Sequence, residues 1–148
     1  MAGDRKLKAQ EFVFACEETA MRDLPSGLPR PERKVMWTIL QLHFGDPNVH
    51  FELQPRPSHG IIELGLHFEG PVETNDLWAE RLAARAGALA PELGPEWELE
   101  AWTASWRRLH RIWRTSDLTE GLAREVGAEL GRAMRLLGPV LAGTTASP

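Results

Sequence analysis

Five side chains of metal-ligand type stand close together in one stretch of the chain: His50, Glu52, Glu63, His67 and Glu69. Imidazole nitrogens and carboxylate oxygens hold zinc and other divalent ions when a fold brings three or four of them into one coordination shell. The spacing suggests how that happens. Val49, Phe51 and Leu53 alternate with His50, Glu52 and Gln54, and Ile62, Leu64, Leu66 and Phe68 alternate with Glu63, Gly65, His67 and Glu69. Two period-two runs around a Pro/Gly-rich break predict a β-hairpin with one apolar and one polar face. If His59 and Gly60 form a two-residue turn, His50 stands opposite Glu69 and Glu52 opposite His67, with facing β-carbons about 5 Å apart. His50, Glu52, His67 and Glu69 then form a candidate set for a divalent metal, with no other cofactor implied. The same residues also fit a plainer role, because an antiparallel sheet commonly leaves one face wet and His–Glu pairs across strands are ordinary there. Pro55 and Pro57 suggest that the first strand of the hairpin is a sheet edge.

A second constellation occupies residues 106–114. Trp106, Arg107, Arg108, Arg111, Trp113 and Arg114 interleave flat rings with positive charge, which is what a single-stranded nucleic-acid surface uses. Trp102, Trp106, Leu109 and Trp113 have helical spacing, but Trp97, Leu99 and Ala101 alternate with Glu98 and Glu100, and a second hairpin of residues 97–101 and 106–114 would set Arg108 opposite Glu100 and His110 opposite Glu98, which favours the hairpin over the helix. Those acidic partners supply the competing account, in which the arginines are neutralised within the chain and the tryptophans fill the core. A strand also splits the set: Arg108 and Arg114 point one way with Trp106, Arg107 and Arg111 the other with Trp113. Any nucleic-acid binding is therefore expected to be weak. Nucleophilic chemistry finds no support: the serines lie in turns or the tail without a nucleophile-elbow pattern, and Cys16 lies on an apolar stripe. No Gly-rich phosphate loop follows a strand.

The elements that would position these groups are helices on either side of the hairpins. Residues 5–23 predict a helix with Ala9, Phe12, Val13, Cys16 and Ala20 on one stripe; Leu7, Phe14 and Met21 form a second line, which fits either a helix clasped between two layers of the fold or a subunit interface. After a Pro-rich connection, residues 31–44 predict another helix, with Pro31 at its first position and Val35, Met36, Ile39 and Leu42 on its stripe. Thr74 or Asn75 is a candidate cap for a third, which carries Trp78, Leu82 and Leu89, with Pro91 opening a short last turn. A final helix runs to Leu141, with Asp117 and Glu120 as a capping box and Gly127, Gly131 and Gly138 on a flank that some backbone must approach closely. The expected fold is α+β: an antiparallel four-stranded sheet packed with helices, in the order α-α-ββ-α-ββ-α. Residues 1–142 make one domain and 143–148 a disordered tail.

Composition sets outer bounds. The chain has 148 residues, net charge −4, 43% hydrophobic and 26% charged residues, the range of globular proteins, and an acidic balance that disfavours bulk attraction to nucleic acid or acidic membranes. The single cysteine excludes an intrachain disulfide and a thiolate metal cluster. No apolar run approaches the roughly 20 residues of a membrane span, and residues 1–8 lack the apolar core of a signal peptide. These features predict a cytoplasmic protein with no membrane partner.

Glu63, Leu64, Leu66 and Phe68, followed by Asn75, by Leu93-Gly94, and by Trp97 or Trp102 ahead of an Arg-rich strand and a long amphipathic helix, resemble a prokaryotic domain of unknown function. That domain occurs alone or at the C-termini of predicted DNA-related proteins. The resemblance covers about residues 48–141, rests mostly on core positions, and so implies fold more than activity. The nuclease pattern of that neighbourhood, an acidic residue followed by Glu-x-Lys, is absent, since Lys6, Lys8 and Lys34 lie outside the predicted sheet. The expected topology is also similar to that of small acidic dimeric secretion chaperones. Together these features favour a non-enzymatic protein-interaction domain acting as a homodimer through Leu7, Phe14 and Met21. The alternatives are single-stranded nucleic-acid association and divalent-metal binding.

Overall fold

The alternation that predicts the first hairpin extends further along the chain than expected. A computed structural model, which describes residues 4–142, holds six strands and four α-helices among them. In chain order these are α1 (Ala9–Arg22), β1 (Glu32–Met36), β2 (Ile39–His43), β3 (Val49–Arg56), β4 (Ile61–Phe68), α2 (Val72–Ala84), α3 (Ala86–Leu93), β5 (Glu98–Ala101), β6 (Arg107–Arg114) and α4 (Glu120–Leu141). The strands form one antiparallel sheet in the order β1-β2-β3-β4-β6-β5. The class is α+β with an antiparallel sheet as expected, but the sheet has six strands instead of four and the order is α-ββ-ββ-α-α-ββ-α. Residues 143–148, read as a disordered tail, lie outside the described residues. No helix is long and apolar enough to cross a membrane among them.

The extra strands replace the helix expected over 31–44. Leu40 and Leu42 are buried while the alternating Ile39, Gln41 and His43 are only partly so, a period-two pattern too short to stand out beside the helical spacing of Val35, Ile39 and Leu42. Pairing decides the matter. β2 hydrogen-bonds to β3 through Leu40–Leu53, Gln41–Glu52 and Leu42–Phe51, and so satisfies backbone groups of β3 that would stay unpaired if residues 31–44 were a helix. β3 is therefore internal and not an edge. Pro55 is accommodated because it lies beyond Leu53, where pairing with β2 has ended.

The apolar sheet face, with Phe51, Leu53, Ile62, Leu64, Leu66 and Phe68, is buried with Phe12, Val13, Cys16 and Ala20 of α1 and with Val126, Leu130, Met134 and Leu137 of α4. α1 and α4 touch closely because Gly127 has no side chain: a Cβ there would sit 2.6 Å from the Cys16 carbonyl oxygen. The third expected helix is two, α2 and α3, with Pro91 inside the second. Asn75 does not cap it. Asn75 is buried; its side-chain oxygen accepts from the Gly70 backbone N–H and its amide donates to the Gly70 and Ser105 carbonyls, tying the β5–β6 connection to the start of α2. At α4, Thr119 is the cap, accepting from the Leu122 N–H, while Glu120 pairs with Arg5 instead of closing a box with Asp117.

Candidate metal centre

β3 and β4 face one another through a 3-10 turn at Pro57–His59 that Gly60 closes in the left-handed region at φ 67°. This longer turn moves the register by two from the expected two-residue turn. His50 pairs with His67, Glu52 with Gly65 and Gln54 with Glu63. A shift of two preserves which side chains share a face, so His50, Glu52, Glu63 and His67 still project together, although the expected His50–Glu69 and Glu52–His67 oppositions do not hold.

The face is not wet. His50 is 2% exposed, Glu52 6%, Glu63 5%, His67 0% and His110, contributed by β6, 6%. Trp102, at the end of β5, lies over the cluster with its ring centroid 4.8 Å from that of His67. Four donor atoms from His50, Glu52, His67 and Glu69 lie within 4.8 Å of one another. His50 Nε2 is 3.2 Å from a Glu52 oxygen and 3.7 Å from a Glu69 oxygen. His67 Nδ1 is 3.0 Å from the same Glu69 oxygen and 3.7 Å from the same Glu52 oxygen.

The outer nitrogens and oxygens of this set are held as well. The Pro47 carbonyl accepts from His50 Nδ1 at 2.8 Å, which turns Nε2 toward the carboxylates. His67 Nε2 meets Glu63 at 3.0 Å, so a second carboxylate orients this ring from behind. The Gln41 amide donates to Glu52 at 3.0 Å. Glu63 is also approached by His110 Nδ1 at 3.5 Å and an Arg108 nitrogen at 3.9 Å, and Glu100 meets His110 Nε2 at 3.1 Å. Burial alone would push the Glu63 carboxyl up, but His110 and His67 beside it outweigh that and hold it down at about 2. Burial alone would push His67 down, but hydrogen bonds to Glu63 and Glu69 and the charges of Glu63 and Glu52 raise it to about 9. Glu52 is lowered too, burial being overcome by His50, His67 and Gln41. Gly65, opposite His110, makes room: a Cβ there would meet Glu63 at 2.8 Å and His110 at 2.7 Å.

The arginine strand is organised differently. Hairpin β5–β6 forms as expected, with Glu100 opposite Arg108 and Glu98 opposite His110. Arg107 is bound to Asp76, Arg108 to Glu100 and Arg111 to Glu129, so three of the four arginines are engaged by carboxylates of their own chain, while Arg114 is exposed. Trp106 is partly exposed on the polar face, and Trp113 donates to Glu125. Of the expected interface residues, Leu7 and Met21 pack partly buried against the core, and only Phe14 is exposed, at 42%, with Arg33 against its ring. Gln41, Pro47, Trp102 and His110 join the cluster through strand order and loop path. The one available signal was the parity of β6, which puts His110 on the side of Arg108.

In comparisons with known proteins, no family model, no curated protein and no solved structure matches this chain.

Proposed function

We propose that this protein binds a divalent transition-metal ion through His50 Nε2, His67 Nδ1 and one oxygen each of Glu52 and Glu69. The observation that carries this reading is the spacing of the four donors. Zinc takes nitrogen and oxygen ligands at about 2.0–2.2 Å, which in a tetrahedron sets neighbouring donors about 3.4 Å apart. The 3.0, 3.2, 3.7 and 3.7 Å separations bracket that value. The outer contacts support it. Ligand histidines commonly donate their other nitrogen to a carbonyl or a carboxylate, and Pro47 and Glu63 stand in those places for His50 and His67. An imidazole–carboxylate set without thiolate suits zinc, manganese, iron, cobalt or nickel in the divalent state. Burying such a set without an ion gains little over apolar side chains of the same volume, which supports a binding role for the cluster over a purely stabilising one.

The test is elemental analysis of protein purified without added metal, together with melting temperature under titration with zinc, manganese and cobalt. The expected result is about one ion per chain and a rising melting temperature, both lost in His50→Ala. Glu69→Gln, at the half-buried rim, should weaken the site without disturbing the His67–Glu63 pair. If wild-type protein neither retains an ion nor gains stability from any of the three metals, the proposal is wrong.

A second reading, self-association, draws on the β1 edge. Trp37 sits at the β1–β2 tip, 89% exposed and at φ 56°, a backbone region costly for a bulky residue. It adjoins α1 through a bond from the Gln10 amide to its carbonyl, one turn from exposed Phe14. Light scattering at micromolar concentration should give a dimer that Trp37→Asn dissociates; a strict monomer removes this reading.

A further inference from the structure

Next to the cluster the polar face encloses a cavity of about 120 Å³, whose walls include Glu52, Glu63, Trp102, Arg108, Arg56 and Ile112. Glu52 thus belongs both to the donor set and to the cavity wall. The carboxylates in that wall already have partners: Glu52 is bonded to Gln41 and His50, and Glu63 to His67. Arg108 is fixed but unsaturated. Its Nε donates to Glu100 at 2.6 Å and its guanidinium lies 4.6 Å from the Trp102 ring centroid. Its nearest terminal nitrogen stays 3.9 Å from Glu63, beyond hydrogen-bonding distance, so both terminal nitrogens are without a hydrogen bond from the described residues. Arg56, exposed on the same wall, has no ion pair among those residues. Beside the neutral amide of Gln54, the uncommitted polar capacity of this cavity is therefore positive, and at Arg108 it is a planar fork.

We propose that this cavity binds a small carboxylate-bearing ligand, its carboxylate on the terminal nitrogens of Arg108 and its short body against Trp102 and Ile112, beside the metal ion. A fixed guanidinium fork matches a planar carboxylate with two parallel hydrogen bonds. The volume is that of about four waters, which limits the ligand to roughly four to six non-hydrogen atoms. The inference rests on the metal reading: Glu52 and Glu63 face the same space and repel an anion until a divalent ion among the donors offsets them.

The experiment is calorimetric titration of sodium propionate, at constant ionic strength, into zinc-loaded and metal-free protein. The expected result is saturable binding to the zinc-loaded form, weaker by at least about tenfold without zinc, and about tenfold weaker again in Arg108→Lys, which keeps the charge and loses the fork. Arg108→Gln should abolish propionate binding with zinc content still one per chain. Ile112→Trp, which fills the cavity from its rim without altering any charge, should do the same if Arg108→Gln fails to fold. Zinc binding without propionate binding overturns this inference and leaves the metal reading standing, whereas absence of zinc binding removes both. Propionate binding that survives Arg108→Gln, that ignores zinc, or that inorganic phosphate outcompetes also overturns it.

Discussion

Glu63, buried in β4, and Glu129, partly buried on α4, are both carboxyls held at about 2, yet their surroundings differ in kind. Glu129 accepts from Arg132, from the Trp97 indole and from Arg111, all at 2.8–2.9 Å. Arg132 in turn reaches the Glu92 and Leu93 carbonyls at the end of α3. The arginines keep their charge at every accessible pH, and the indole only donates. Glu129 is therefore a permanent tie between α4, the sheet and α3. Glu63 is held by His67 and His110, whose nitrogens can lose a proton and then offer a lone pair. One depressed carboxyl marks a clamp and the other, on the proposed metal reading, orients a ligand histidine; the partner's chemistry distinguishes them where the size of the shift does not.

The largest effect should come from breaking the clamp. Glu129→Ala leaves Arg111 and Arg132 without their carboxylate and Trp97 without its acceptor. Urea unfolding should show a loss of about 3 kcal/mol, the low end for one lost partner of a buried ion pair because this network is partly solvated. Metal content should stay at one per chain. A loss of metal in this variant would mean that the two regions are coupled, and the contrast between them would fail.

Alkaline pH should separate the regions without mutation. His67 rises from 6.5 to about 9 in the fold. A raised group contributes its stability fully below the unfolded value and loses it as pH climbs through the folded value. Metal-free protein should thus lose about 3 kcal/mol between pH 6.5 and 9. Glu129→Ala should keep that slope and His67→Gln should erase it. Glu63 and Glu129 behave in the opposite sense: their contributions stand above pH 4.5 and fade together as pH drops toward 2. Acid unfolding therefore cannot tell clamp from cluster. The same His67 proton competes with the metal, so zinc affinity should rise about tenfold per pH unit until about pH 9.

Replacing the orienting carboxylate itself is a smaller intervention. Glu63→Gln keeps the shape and removes the charge behind His67, and zinc affinity measured by competition with a chelator should fall about 10–100-fold. If affinity does not move, Glu63 is a second clamp and not an orienting group.

The donor set was legible in the sequence because the side-chain period of a strand is two. The real turn moved the register by two, so the pairs changed while the face did not; a slip of one would have hidden the site. The second hairpin was legible for a similar reason, since Glu98, Glu100, Arg108 and His110 name their partners by charge. The helix expected over 31–44 failed because Val35, Ile39 and Leu42 satisfy helical spacing while the strand pattern at Leu40 and Leu42 spans only five residues. That error hid Gln41. His110 and Trp102 were hidden differently: they reach Glu63 and His67 respectively only because β6 lies beside β4, and strand order is a long-range property that local alternation does not encode.

The smallest expected effect tests the contrast most directly, by turning one kind of site into the other. Gln41 is the neutral support of Glu52, donating one amide hydrogen bond at 3.0 Å from a half-buried position on β2. Gln41→Arg would give Glu52 a permanent cation, the arrangement that makes Glu129 a clamp. The metal-free protein should then be no less stable, with a gain under about 1 kcal/mol because the position is partly solvated. The metal should pay the difference: a carboxylate already matched to a guanidinium is a poorer ligand, and zinc affinity should fall about tenfold, comparable to losing one outer-shell contact. Gln41→Leu removes the hydrogen bond without adding charge and separates the two effects. Its affinity should drop only a few-fold, the equivalent of about 1 kcal/mol for one hydrogen bond. A smaller loss in the arginine variant than in the leucine variant would show that Glu52 needs only its orientation held. A larger loss in the arginine variant would show that charge competition at the carboxylate separates a binding cluster from a structural one.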